Sequence, residues 1–376
     1  MDFPLYYRSR QGDMVHLLKQ ITNLESPTND KKAVDVCLSF VAREFKKIGC
    51  KVTSLPQKEI GDLTTIEYAP GRLKDADDQI LVLTHIDTVW PVGKIAKMPF
   101  YISGNKLFGP GVLDMKAGVV MVLSALAALR SINLKPQKRI TIFINSAEET
   151  GHEAAYDVIR RLAKRSSLVL CLEPALPGGG LKLERKGRLV IRLETHGRAA
   201  HGGTPQKGVN AIEELMSQLQ RARKLRAGET TVNIGLVGGG EKANIVPDSA
   251  WAVLDIRFWK SYDRERILRT LKGAEPVLRG ARVKAVVEST TPAMEKTKAS
   301  AHLFEQAREI AASIGQNLTG GKTGGGSDAS IAASLGVPAL DGLGPDGDGI
   351  HAAHEHLLLS SLIDRTALLT LLLTRL

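Results

Sequence analysis

The sequence predicts an α/β fold, a mostly parallel-sheet domain interrupted by an inserted α+β domain. Three observations predict it. Up to the mid-170s, short apolar strands alternate with amphipathic helices. Composition then shifts at Pro177-Gly178-Gly179-Gly180, and four strands and two helices follow with a rhythm of their own. After Pro292 a helix-rich pattern returns. The expected boundaries are therefore 1–180 for the first part of the main domain, 181–290 for the insert and 291–376 for the second part.

In chain order, Asp13–Leu24 reads as a short amphipathic helix closed by the turn cluster Ser26-Pro27-Thr28-Asn29-Asp30. A longer helix follows, with Val34, Cys37, Leu38, Val41, Phe45 and Ile48 on one stripe and Gly49 as its stop. Strands are predicted at Lys51–Leu55, Thr64–Tyr68 and Ile80–Thr84, then an Ala/Leu-rich helix over Lys116–Arg130. A strand at 139–145, a helix at Glu153–Lys164 and a strand at Leu168–Leu172 complete the first part. In the insert, Arg188–His196, Thr231–Val237, Ala250–Phe258 and Val283–Ser289 read as strands, and Val209–Leu225 and Arg264–Leu278 as helices. The last part holds helices at Leu303–Ile314, Ser327–Leu335 and Ser360–Leu376, with a short strand at Pro338–Leu340.

Composition narrows the function classes. At 376 residues, 43% hydrophobic and 24% charged, the chain is an ordinary globular protein with room for two cores. Its three cysteines form no CxxC pair, which argues against a disulfide framework or a cysteine zinc site. They fit a reducing compartment, so a cytoplasmic location is expected. The N-terminus lacks an apolar signal region, and no apolar run approaches the length of a membrane span, so no membrane partner is expected. The net charge of +11 comes from scattered Lys and Arg, and aromatic content is only 5%. That pattern predicts no nucleic-acid partner; it reads as solubility with some attraction for anionic substrates.

The chemistry gathers around Arg139–Gly151, RITIFINSAEETG, where a buried strand ends in the adjacent carboxylates Glu148 and Glu149. The strand ILVLTHIDT likewise ends in His85 and Asp87, Asp114 closes GPGVLD, and Glu173 follows Leu168–Leu172. Each alone has a plain reading. A strand-end histidine is usually structural, and acids before a helix suit its dipole. Several at the ends of strands in one parallel sheet are another matter, because such ends open on one crevice. A histidine with several carboxylates is a ligand set for zinc, cobalt or manganese. The C-terminal HAAHEH offers further imidazoles in His351, His354 and His356.

The stretches THIDTV (84–89), GPGVLDMKAG (109–118), NSAEETG (145–151), CLEP (171–174) and HAAHE (351–355) resemble the motifs of a two-zinc hydrolase family. That family comprises glutamate carboxypeptidase, acetylornithine deacetylase and aminoacylase, and the chain most resembles the glutamate carboxypeptidase branch. The match runs in order across nearly the whole chain. It implies a zinc exopeptidase-like catalytic domain with an inserted dimerisation (lid) domain, a homodimer, and two divalent ions per subunit, Zn2+ first with Co2+ or Mn2+ possible. The implied reaction is hydrolysis of an amide next to a free carboxylate, in a small peptide or N-acyl amino acid. Release of a C-terminal amino acid is the leading form. The alternative is deacylation, as by acetylornithine deacetylase or succinyl-diaminopimelate desuccinylase. A catalytically dead binding scaffold is disfavoured, since every motif position is retained.

The resemblance also assigns residues. His85 and Glu173 would complete one metal site, Glu149 and His351 the other, and Asp114 would bridge both. Asp87 would orient His85, Glu148 would be the general acid/base, and the Asp114–Met115 peptide would be cis. His351 aligns best as the last ligand, with an acid four residues on at Glu355, and His354 is the alternative. In the insert, His201 would reach a partner subunit's site as an oxyanion donor, and Asn244 and Arg257 would bind the substrate's terminal carboxylate. Gly325, Gly326 and Ser327 would line the substrate pocket. The glycine run around them lacks the order of a phosphate loop, but a turn ahead of a helix can present N–H groups to an anion.

Overall fold

The computed structural model describes residues 1–69 and 78–376. They fall into two compact units. The first is Met1–Leu183 with Lys296–Lys322 and Ser327–Leu376, and the second is Glu184–Glu295 with Thr323–Gly326. The second unit thus takes in a four-residue return segment that composition did not mark.

The first unit is built on a six-stranded sheet in the order Lys51–Leu55, Leu63–Tyr68, Arg139–Asn145, Gln79–His85, Ser166–Cys171 and Ala339–Leu340. The first two pairings are antiparallel and the remaining three are parallel. The division follows burial. Gln79–His85 is buried along its whole length, whereas the edge strand Lys51–Leu55 alternates exposed and half-buried residues. Register then aligns the chemistry. His85 lies opposite Asn145, and Leu83 opposite Cys171. The loops carrying Asp87, Glu148 and Glu173 therefore leave the sheet at one end.

The helix Ala117–Ser131 is apolar on nearly every face and packs in the main core with Leu359–Arg375. Val112–Ser131 is long and apolar enough to cross a membrane by length and composition, but 89% of that window is buried inside the protein. It is a core helix, assembled from small and aliphatic residues behind the buried Asp114 and Lys116. A helix the sequence did not predict, Phe3–Ser9, is capped by the Asp2 carboxylate and places Pro4 in its first turn. There the missing N–H costs nothing, and Tyr7 is buried. A second sheet, from Tyr101–Ser103, Lys106–Phe108, Gly347–Asp348 and His356–Leu358, was also unpredicted. Strands of two or three residues are too short to show a period.

The second unit is a four-stranded antiparallel sheet in the order Thr231–Gly239, Ser249–Phe258, Gly187–His196 and Arg282–Thr291. Strict alternation along Gly187–His196 buries Leu189, Ile191 and Leu193 on one face. Ala211–Arg223 and Ser261–Lys272 cover that face through Leu215, Ile267 and Leu271. The edge strand Thr231–Gly239 leaves Leu236 and Val237 exposed, at 59% and 67%.

Gly118, in the first turn of the core helix, allows the backbone to approach the strand-to-loop junction before Glu173. A Cβ there would stand 2.8 Å from the Leu172 carbonyl oxygen and 2.9 Å from its Cβ. Gly118→Ala should therefore destabilise the protein by about 1–3 kcal/mol despite its better helix propensity. A urea midpoint equal to or above wild type would contradict this packing.

Candidate metal centre

His85 ends a buried strand and is itself buried. Its Nδ1 lies 3.0 Å from the Asp87 carbonyl oxygen and 3.4 Å from an Asp87 carboxylate oxygen. Its Nε2 faces Asp114 Oδ1 at 3.2 Å and Glu173 Oε1 at 3.5 Å. Asp114 sits in the irregular turn Val112–Lys116, entered through Gly111 at φ +72°, and the Asp114–Met115 peptide is cis, as expected. The other oxygen of Asp114, Oδ2, lies 3.4 Å from His351 Nε2, which also stands 3.0 Å from Glu149 Oε2. One carboxylate thus offers one oxygen to each of two imidazoles.

Two donor groups result. Ligand atoms of His85, Glu148 and Glu173 all lie within 4.8 Å of one another, and so do those of His85, Asp114 and Glu149. Imidazole and carboxylate donors at such spacing fit zinc, cobalt or manganese, and a carboxylate with divergent oxygens fits a bridge between two ions.

The backbone around the donors is fastened from within. The Glu148 and Glu149 N–H groups each donate to a different oxygen of Asp87, both at 3.2 Å, and Thr28 Oγ1 donates to Asp87 at 2.7 Å. Asn145 accepts the Ala147 N–H and donates from Nδ2 to Asp328 at 2.8 Å.

The electrostatics reflect the crowding. Burial would depress His85, but Asp114, Asp87 and Glu173 outweigh it and hold the imidazole well above its ordinary range. Hydrogen bonds to Asp114 and Glu149 raise His351 to about 10. Burial pushes Asp114 up, but His351 and His85 more than reverse this and hold it below the usual carboxylate range. Burial and the neighbouring charge of Glu173 lift Glu148 well above that range. Asp328 is pushed up to about 7, chiefly by burial.

Of the three C-terminal histidines, His351 alone stands against the donors described above; it turns in at φ +60°. His354 is exposed, and its carbonyl is 2.9 Å from His356 Nδ1. His356 is buried beside Phe108.

In the second unit, His201 lies in the two-residue strand Ala200–His201 paired with Ile245–Val246, and its Nδ1 accepts the Gly203 N–H at 3.0 Å. The adjacent Gly202 N–H donates to the Asn244 carbonyl at 2.8 Å. Arg257 donates from Nε to Asp255 at 2.8 Å and from Nη1 to the Gly324 carbonyl at 3.2 Å. Arg185 Nη1 donates to the Gly326 carbonyl at 2.7 Å and to that of Gly325 at 3.4 Å. The glycine run therefore turns the carbonyls of Gly324, Gly325 and Gly326 towards guanidinium groups. Ser327 is buried in the first unit, where its hydroxyl donates to Asp341 at 2.8 Å and accepts the Ala329 N–H at 3.0 Å. That hydroxyl is committed to capping the helix Asp328–Ala333.

Sequence reasoning passed over the site's other buried carboxylates. Asp328 ended a glycine run read as a turn ahead of a helix and drew no role of its own, and Glu355 entered only as a marker beside His351.

A model of peptidase family M20/M25/M40 matches residues 81–375. The chain is 30% identical over 353 residues to carboxypeptidase G2 of Pseudomonas sp. (strain RS-16), covering 91% of this chain and 84% of that protein. It is 27% identical over 359 residues to succinyl-diaminopimelate desuccinylase of Methylorubrum populi, covering 88% and 90%. Among solved structures, aminopeptidase PepT from Bacillus cereus superposes with a TM-score of 0.78 at 22% identity, over 97% of this chain and 98% of that one. The YXEP protein of Bacillus subtilis, described as a dinuclear metal-binding peptidase from the M20 family, gives 0.71 at 13% identity over 98% of each chain. At these identities the structures establish the shared fold.

The raised pKa of His351 sets a pH dependence. Its folded value of about 10 lies above the ordinary 6.5, so its contribution to the metal-free fold is complete below about pH 6.5 and lost as pH rises through 10. A cation needs the imidazole neutral. Divalent-ion uptake between about pH 7 and 9 should therefore release protons and tighten as pH rises. Calorimetry showing affinity independent of pH across that window would contradict this.

Proposed function

The chain belongs to peptidase family M20/M25/M40 and is a hydrolase of that family, and from this premise we propose that it cleaves an amide bond next to a free carboxylate, releasing a C-terminal amino acid. The observation that carries the reading is the Asp114 carboxylate, with one oxygen at each of two imidazoles, while Glu148 groups with His85 and Glu173. His85 and Glu173 would hold one divalent ion, Glu149 and His351 a second, and Asp114 both. Zinc is the expected metal, and cobalt or manganese suits the same donors. When bound, such a pair supplies Lewis-acid polarisation of the scissile carbonyl and acidifies the attacking water.

Glu148 would take the proton from the attacking water and return it to the departing amine. Its surroundings favour the protonated form, which suits the second half of that exchange. The Asp87 oxygens facing Nδ1 would keep the His85 proton there and leave Nε2 free to ligate. Asn244 and Arg257 would hold the substrate's carboxylate; Gly324 lies against Arg257, Gly325 and Gly326 against Arg185, and these two glycines with Ser327 would line the pocket.

Deacylation is the second reading, favoured by the desuccinylase relatives, whose level of similarity is close to that of the carboxypeptidase. A hydrolysis panel of C-terminal glutamyl peptides against N-succinyl and N-acetyl amino acids, with and without chelator, separates the two. Cys37, Cys50 and Cys171 are buried and form no disulfide, which supports a reducing, cytoplasmic setting.

We infer further that the chain is a homodimer paired through the second unit. Support comes from the edge strand Thr231–Gly239, which ends a sheet and exposes Leu236 and Val237. His201 would then complete the partner's site as an oxyanion donor.

Two outcomes are expected. Glu148→Gln should retain two ions per subunit by metal analysis yet lose roughly 10²–10⁴-fold in kcat, since the amide cannot accept a proton. Activity within a few-fold of wild type would remove Glu148 from the mechanism. Mixing inactive Glu148→Gln with inactive His201→Ala subunits should restore turnover, because one site of the mixed dimer has both groups. Silence after confirmed subunit exchange would exclude action in trans.

A further inference from the structure

Glu355 is 1% exposed, and its two carboxylate oxygens meet four N–H donors. Oε2 accepts the Gly111 N–H at 2.9 Å and the Trp90 indole N–H at 2.9 Å. Oε1 accepts the Leu113 N–H at 3.0 Å and the Asp114 N–H at 3.2 Å. An ionised carboxylate is acceptor-only with about four lone-pair positions, so this site uses all of them. Three of the donors belong to the short turn that carries Asp114. The Glu355 N–H in turn donates to the Ala352 carbonyl at 3.0 Å, and the Ala352 N–H to that of Gly349 at 2.8 Å. The segment 349–355 thus presents His351 from its own backbone and fixes the backbone of Asp114 through its last side chain.

We propose that Glu355 is a positioning residue that sets the bridging carboxylate, locking the Asp114 turn to the His351 segment so that the two oxygens of Asp114 face two cations at once. The proposal rests on the two-ion reading above. Glu355 is in neither donor group; it acts through the peptide N–H of Asp114. Its place in the sequence, four residues after His351, follows from this geometry: one turn supplies both a ligand and the clamp on its neighbour. Lys116 Nζ, committed to the Ile21 and Leu24 carbonyls at 3.1 and 2.9 Å, contributes nearby positive charge without displacing any of the four donors.

The test is a Co2+ titration of chelator-treated protein followed by visible absorption, with circular dichroism to verify folding. Wild type should take up two ions per subunit; uptake of fewer overturns the two-ion reading and this proposal with it. Glu355→Gln places an NH2 group against an N–H donor, and both ions should bind about 10–100-fold more weakly with an altered cobalt spectrum. Glu355→Asp keeps the charge but falls short of the turn, so it should weaken binding as well. A role in folding alone would lower the melting temperature and leave cobalt affinity and spectrum unchanged. That result in either folded variant overturns the proposal, as does failure of both variants to fold.

Discussion

The structure depends on one electrostatic constraint, the crowding of carboxylates beyond the ends of a parallel sheet. Glu173, Asp328 and Glu149 act on Glu148, Asp114 acts on Glu149, and Glu173 and Asp87 act on Asp328, with His85 and His351 among them. Like charges at this spacing cannot all ionise at their ordinary pKa values. The chain meets the constraint by drawing protons onto the imidazoles and onto Glu148 and Asp328. The field that holds those protons is the field that would hold cations. Protons and divalent ions are therefore alternatives for the same negative potential.

Two classes of carboxylate can be told apart by what satisfies them. Asp87 and Glu355 accept from N–H and O–H donors of the chain itself, so they support the frame. Asp114 and Glu149 turn their oxygens to imidazoles instead. A cation entering the cluster finds acceptors in the second class. The first class fixes the loops on which those acceptors stand.

Much of this was legible in the sequence because burial and chemistry share the same strands. The fully buried Gln79–His85 and Arg139–Asn145 read as apolar runs, and the polar residues just past them stood out by contrast. What escaped the sequence needed a tertiary partner to have meaning. Glu355 acts on backbone groups some 240 residues earlier in the chain, separations no local pattern reports. Carbonyls at Gly324–Gly326 turn to Arg185 and Arg257, partners that the glycine run itself does not announce. The core helix passes a membrane test on composition alone, and packing against Leu359–Arg375 and its neighbours decides otherwise.

The adjacent acids Glu148 and Glu149 show how one positioning contact can give identical side chains different partners. Asp87 receives the N–H of Glu148 on one oxygen and that of Glu149 on the other, which fixes two consecutive peptide units at once. With both peptides held, the side chains cannot exchange places. Glu148 joins His85 and Glu173, while Glu149 meets His351. Their electrostatics then diverge. Glu149 has an imidazole hydrogen bond that offsets part of its burial, whereas Glu148 gains the added repulsion of Glu173 and is driven furthest towards the protonated form. Two neighbouring carboxyls with such different partners would suit the separate roles of proton transfer and metal holding proposed for them. The strand end supplies it because Asp87, two residues beyond His85, reaches across to both.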